Sequence, residues 1–193
     1  MAIGILALQG DYASHAKVLS KLGVSSIYIR EPKQLTNING LIIPGGESTT
    51  MLKFFEEENF INAIQKFHQE GKAIFGTCAG AILLAKNVLP TQKSLQLIDI
   101  TVERNAYGRQ ISSAVTKGKY KNKTIEIVLI RAPKIVQVGQ EAKVLGWLDD
   151  NPICVIQKNV MVTTFHPELT SDFQIHKDFL ALAEEGTKCQ TSI

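Results

Sequence analysis

Cys78 stands in the run Gly76-Thr77-Cys78-Ala79-Gly80, where the apolar stretch Ala73-Ile74-Phe75 meets residues 79–86, a segment rich in helix formers. A nucleophile with a glycine two residues away on each side, on a strand-to-helix turn, forms a nucleophile elbow. The turn is sharp, so the side chain points out of it. The glycines carry no Cβ, so strand and helix can close tightly around it. The helix that follows offers the sulfur free N–H groups and the positive end of its dipole. Such surroundings favour the thiolate, the reactive form of cysteine. The plainer alternative is a buried cysteine between two small-residue turns. Both glycines at this spacing, in a strand-turn-helix context, weigh against it.

A thiol nucleophile needs a base, and the base needs an orienting group. Of the four histidines, His166 follows the apolar run 160–165 directly and sits in His166-Pro167-Glu168. Pro167 biases His166 to an extended backbone. Residues two apart in an extended segment project to the same side. Glu168 can then reach one ring nitrogen and leave the other for Cys78, which is triad logic in the order Cys, His, Glu. The alternative is a strand-end His-Pro turn with a solvated Glu168. His15, His68 and His176 fall inside expected helices among charged or polar neighbours, and solvated side chains are expected there. Gly45-Gly46, before another expected helix, frees backbone N–H groups to face a bound oxygen. Gly46, with the Ala79 N–H as second donor, is a candidate oxyanion hole. Arg104-Asn105 and Arg131 flank strand ends. Arg104 could clamp a substrate carboxylate, against the alternative of solvated arginines.

These residues must be positioned by an alternating scaffold. Apolar runs at 2–8, 25–30, 40–43 and 73–75 read as strands. Residues 12–22, 49–58, 60–70 and 79–86 read as helices, with Asn59 as N-cap of the third and Gly23 and Gly71 as stops. Alternating strands and helices imply parallel βαβ units, hence a three-layer α/β sheet with helices on both faces. Reactive groups gather at the carboxyl ends of such strands. Gln9-Gly10-Asp11, Gly45-Gly46-Glu47-Ser48 and the Cys78 turn all fall there. In the second half, strands are expected at 95–103, 110–116, 124–130, 143–148, 153–157 and 160–165. Few helical patterns separate them, so antiparallel pairing is expected. A last helix covers 172–185, and the polar residues 186–193 are expected to fray.

The chain of 193 residues, with 45% apolar and 20% charged residues, suits one soluble globular domain, 1–193. A net charge of +3, with no basic cluster interleaved with aromatics, does not indicate nucleic-acid binding. The apolar stretch around Cys78 is too short to span a bilayer. The first residues read as a strand and not as a signal peptide. Three cysteines, Cys78, Cys154 and Cys189, form no disulfide framework and suit a reducing cytoplasm. No Cys/His pair has zinc-ligand spacing, so no metal is expected.

The elbow with His166-Pro167-Glu168 resembles the class I (triad) glutamine amidotransferases, a flavodoxin-like fold. Further blocks narrow the resemblance: Leu8-Gln9-Gly10, Pro44-Gly45-Gly46-Glu47-Ser48-Thr49-Thr50-Met51, Val102-Glu103-Arg104-Asn105 with Gly108-Arg109-Gln110, Ile130-Arg131-Ala132-Pro133, and Phe165 to Leu169. Together they are similar to the glutaminase subunits of pyridoxal 5′-phosphate synthases. Two small departures are Ala106, where Ser is expected, and Tyr107, where Phe is common. The resemblance implies hydrolysis of L-glutamine to glutamate and ammonia, with no cofactor. It implies a large hetero-oligomer in which ammonia passes to a barrel-shaped synthase subunit. That subunit would build pyridoxal 5′-phosphate from a pentose phosphate and glyceraldehyde 3-phosphate. Cys78, His166 and Glu168 match the triad. Gly46, Glu47, Ser48, Arg104, Ile130 and Arg131 match glutamine-binding positions, and Gln9 and Gly10 match a loop near the subunit junction. Three rivals stand beside it: a DJ-1/PfpI-like cysteine hydrolase, a non-catalytic binding subunit on the same fold, and a glutaminase serving imidazole glycerol phosphate or GMP synthesis.

Overall fold

The structure, a computed structural model, describes residues 1–106 and 113–190, with side chains in the last helix as far as Gly186. In the first half the order is β1 (Ile3–Leu6), α1 (Tyr12–Lys21), β2 (Ser26–Ile29), a 3-10 helix (Pro32–Asn37), β3 (Gly40–Ile43), α2 (Ser48–Glu57), α3 (Phe60–Gln69), β4 (Ala73–Thr77), α4 (Ala79–Leu84) and β5 (Ala85–Leu89). Then come β6 (Ile98–Glu103), β7 (Ser113–Tyr120), β8 (Lys123–Ile130), β9 (Lys134–Val138), β10 (Lys143–Leu148), β11 (Asn151–Gln157), β12 (Val160–Thr163), a short 3-10 helix (Pro167–Leu169) and α5 (Gln174–Gln190).

Every residue of β1, β3, β4 and β12 is buried. Strands buried on both faces read as continuous apolar runs, as parallel strands covered by helices must. They are the centre of a nine-stranded sheet ordered β2-β1-β3-β4-β12-β11-β10-β7-β8. Pairing is parallel from β2 to β12 and antiparallel from there to β8. Alternate side chains feed two cores. Leu41, Ile43 and Ile74 pack with Met51 and Phe55 of α2 and Phe60, Ile64 and Phe67 of α3. Ile42 and Phe75 face the other way, onto Leu19 of α1 and Ile175 and Phe179 of α5. The expected α/β sheet covered on both faces, antiparallel in its second half, is the observed fold. No helix among the described residues is long and apolar enough to cross a membrane.

The differences have local causes. The helix after Cys78 ends at Leu84, not Lys86, because its last carbonyls are taken from outside: Leu95 N–H donates to Leu83 O at 2.7 Å and Leu97 N–H to Leu84 O at 2.9 Å. Residues 85–89 then pair with β6 in a three-stranded sheet completed by β9. Neither β5 nor β9 is expected from the sequence. Those same two bonds delay the strand expected at 95 until Ile98. Pro32 does break β2, but it also opens a 3-10 turn at whose start the Gln34 side chain accepts the N–H groups of Arg30 and Glu31. Asn59 occupies the N-cap position of α3 in a left-handed conformation, φ 60°, and makes no side-chain capping bond. The last helix begins at Gln174, whose N–H donates to Asp172 Oδ1 at 2.8 Å, and continues to Gln190 where fraying is expected. Residues 110–112 of the expected strand, the Tyr107 to Gln110 block, and the Cys189 side chain lie outside the described residues.

Candidate active site

The elbow is built as its glycine spacing requires. A Cβ on Gly80 would come within 2.2 Å of the Ile43 carbonyl oxygen, and one on Gly76 within 2.7 Å of the Gly80 backbone. Only hydrogen at both positions lets α4 sit against β3 and β4. The turn leaves Cys78 at φ 50° and ψ −102°, a conformation that non-glycine residues rarely adopt. Its N–H donates to Thr163 O at 2.8 Å, which ties the elbow to the strand ahead of His166. Cys78 is 5% exposed, and its sulfur has Ile130 O at 3.8 Å.

His166 and Glu168 meet as expected. His166 Nδ1 lies 2.7 Å from Glu168 Oε1, and the glutamate side chain is fully buried. Burial alone would lower the imidazole's pKa. The neighbouring Cys78 sulfur and the ring's pairing with Glu168 outweigh that and push it up to about 10. Burial would raise Glu168, but the neighbouring His15 and the bond from His166 hold it below the usual carboxylate range. A solvated Glu168 is excluded by this geometry.

A cleft of about 540 Å³ opens at the carboxyl ends of β1, β3 and β4. Gln9, Gly10, Gly46, Glu47, Ser48, Cys78, Ala79, Arg104, Ile130, Arg131 and His166 all line it. Glu168 lies behind His166, off the wall. The structure thus brings the sequence-derived residues together around one thiol. The loop after β1 holds the loop after β3 in place. Gly10, at φ 95°, brings its Cα so close that a Cβ would be 2.0 Å from the Gly45 oxygen. The same oxygen accepts the Asp11 N–H at 3.2 Å, and Gln9 Oε1 accepts the Glu47 N–H at 2.9 Å. The Gly45–Gly46 peptide is therefore fixed from the β1 loop.

The Glu47 side chain serves its own helix. It accepts N–H bonds from Thr49 and Thr50 at the start of α2, and the hydroxyl of Thr49 foremost holds its carboxyl down to about 2. Arg104 Nη2 stands 3.8 Å from Glu47 Oε1 with its side chain 21% exposed, while Arg131 is exposed.

Two residues expected to be solvated are instead fully buried beneath the triad. His15 Nε2 lies 3.5 Å from Glu168 Oε2 and 3.2 Å from Thr77 Oγ1, and His15 Nδ1 lies 3.0 Å from His176 Nε2. The signal for them was periodicity. His15 precedes Val18, Leu19 and Leu22 by three, four and seven residues, and His176 precedes Phe179, Leu180 and Ala183 in the same way. Both occupy the apolar stripes of their helices, whatever their nearest neighbours in sequence.

Comparison with known proteins agrees with this geometry. The family model described as "SNO glutamine amidotransferase family" matches residues 5–185. A relative from Thermosipho africanus, named pyridoxal 5′-phosphate synthase subunit PdxT, is 45% identical and covers 96% of this chain and all of its own. One of the same name from Koribacter versatilis is 48% identical, covering 96% and 97%. A solved glutamine amidotransferase superposes with a TM-score of 0.90 at 41% identity, over 94% of this chain and 98% of the other. A solved protein from Thermoplasma acidophilum, described as a GMP synthase subunit, shares the fold at a TM-score of 0.71 and 16% identity, over 99% and 98%. With its matched span running from β1 into α5, the chain belongs to the SNO glutamine amidotransferase family.

Proposed function

We infer that this chain is a single glutaminase domain, residues 1–193, and the ammonia-producing subunit of a pyridoxal 5′-phosphate synthase. The observation that carries the activity is the 2.7 Å His166–Glu168 pair beside a strained Cys78 in the wall of a cleft. The Cys78 thiolate attacks the side-chain carboxamide carbon of L-glutamine, forming a C–S bond and an oxyanion. The N–H groups of Gly46 and Ala79 receive that oxyanion. Imidazolium His166 passes its proton to the nitrogen, the C–N bond breaks, and ammonia leaves with a glutamyl thioester on Cys78. Water then attacks the thioester. His166 takes its proton, glutamate departs and the thiolate returns. Glu168 keeps the imidazole oriented and stabilises its charged form.

Arg104 and Arg131 supply positive charge for the substrate α-carboxylate. Ser48, Glu47 and the Ile130 backbone offer polar partners to its amino end. Gln9 and Gly10, which fix the Gly45–Gly46 peptide, form the side that meets the barrel-shaped synthase subunit, in a large hetero-oligomer. The unpaired thiols of Cys78 and Cys154 suit the reducing cytoplasm. Support for the vitamin B6 branch over other glutaminases comes from the relatives, whose names carry that activity at 45% and 48% identity.

The test is release of ammonia and glutamate from L-glutamine by the wild-type chain and by Cys78→Ala, each with the synthase subunit. Equimolar products from wild type only are expected. Equal turnover by Cys78→Ala would remove the thiol from the chemistry.

A further inference from the structure

Glu168 has one oxygen accounted for. Oε1 takes the His166 bond, while Oε2, fully buried, has no hydrogen-bond partner within ordinary distance. A buried carboxylate oxygen without compensation is costly. The group that faces Oε2 is His15 Nε2, at 3.5 Å. The same nitrogen lies 3.2 Å from Thr77 Oγ1, the residue just before Cys78. One imidazole therefore touches both arms of the site: the carboxylate that orients the base, and the strand end that carries the nucleophile.

The tautomer follows from the neighbours. If His15 carries its proton on Nε2, it donates toward Glu168 and Thr77, and its Nδ1 accepts from His176 Nε2–H at 3.0 Å. His176 Nδ1, which has no partner, is then a bare lone pair. In the opposite arrangement His15 would turn a lone pair toward the carboxylate, and His176 would strand an N–H. Buried orphan N–H groups are the rarer fault. Burial lowers both imidazoles, outweighing the pull of Glu168 on His15, so both are neutral at pH 7. The ring of His15 is further fixed edge-on to Phe75 of β4, and that of His176 likewise.

We propose that His15, braced by His176, is a positioning residue for the glutaminase reaction: its Nε2–H holds the free oxygen of Glu168 and so sets the orientation of His166 toward Cys78. This deepens the glutaminase assignment and rests on it. The triad is thereby extended through α1 into α5, and its acid is held from behind by a neutral donor.

The test combines a spectrum and a variant. Side-chain ¹⁵N NMR of the full wild-type chain is expected to show His15 neutral, protonated on Nε2. A Nδ1–H tautomer or a charged ring at pH 7 would overturn the proposal, whether or not any variant folds. In the complex with the synthase subunit, His15→Leu is expected to lower kcat about 10- to 100-fold, by analogy with the hydrogen-bond partners of metal-ligating side chains, with KM changed less than about threefold. The basic limb of its pH–rate profile should move to lower pH, because a loosened Glu168 supports imidazolium His166 less well. His15→Gln, which keeps an N–H donor, should recover much of the loss. Wild-type kcat and pH profile in His15→Leu would overturn the proposal. Absence of glutamine turnover in the wild-type complex would instead strike the glutaminase assignment, since the tautomer is read without substrate.

Discussion

Cys78, the proposed nucleophile, sits on a strained backbone. A non-glycine residue at φ 50°, ψ −102° costs of the order of 1–3 kcal/mol. The turn is worth that cost only because it aims the sulfur at the cleft. Cys78→Ala keeps the strain and loses the proposed nucleophile. Cys78→Gly loses both. Glutaminase activity should vanish in each, while the glycine variant melts at or above the temperature of the alanine variant, against the usual ordering of these residues. Calorimetry of the two variants checks this. A glycine variant less stable by a full kcal/mol would mean that the turn is unstrained. His166→Asn should remove nearly all turnover, since in the proposed mechanism that ring moves protons in both half-reactions. Glu168→Ala should cost up to ~10⁴-fold, the figure for the orienting acid in serine proteases. A near-normal rate would show that burial alone orients His166.

At the scale of elements, α1 and α5 press two neutral histidines and an ionised glutamate into one buried seam. Burial depresses His176 from 6.5 to about 3, and His15 in the same direction. Such a histidine stays neutral in the native chain, while the unfolded chain binds a proton below about pH 6.5. Its stabilisation is complete above that pH and is lost as pH falls toward the native value, by about 1.4 kcal/mol per pH unit for each extra proton. Glu168, held below its usual 4.5, adds to the same acid loss at lower pH. His166 acts oppositely: raised to about 10, its contribution is full below 6.5 and fades as pH climbs toward 10. Unfolding free energy should therefore peak near neutrality, and His176→Leu should flatten the slope between pH 6.5 and 4.5. An unchanged acid slope in that variant, measured by denaturant titration, would contradict the burial of a neutral ring. The seam also shows where sequence alone stopped short. The elbow and His-Pro-Glu were legible because their chemistry depends on residues close in the chain. The roles of His15 and His176 depend on contacts 161 residues apart, and polar sequence neighbours hid the apolar stripes they share. β5 and β9 were missed for a similar reason: their pairing with β6 is set by tertiary contacts, not by strong alternation of their own.

At the scale of the molecule, the loop after β1 joins the rim of the cleft to α1. Gln9 and Asp11 fix the Gly45–Gly46 segment, and His15 on the helix they open reaches Glu168. In the proposed complex, docking of the synthase subunit against that loop would act directly on the Gly45–Gly46 segment, the proposed oxyanion site. One missing oxyanion donor costs ~10²–10³-fold in rate. Ammonia release at saturating glutamine should rise by about that factor when the synthase subunit is added, and equal rates would show a site assembled in advance. Gly10→Ala, whose Cβ would strike the Gly45 oxygen, should abolish the gain without unfolding the sheet. Mass mapping of the covalent intermediate tests directly whether Cys78 is the nucleophile. The complex is mixed with glutamine, quenched in acid within the first turnovers and digested. A glutamyl thioester is expected on the peptide that carries Cys78 and none on those that carry Cys154 or Cys189. Ammonia released with the adduct on another cysteine, or with no adduct under conditions that trap thioesters in a control glutaminase, would contradict it.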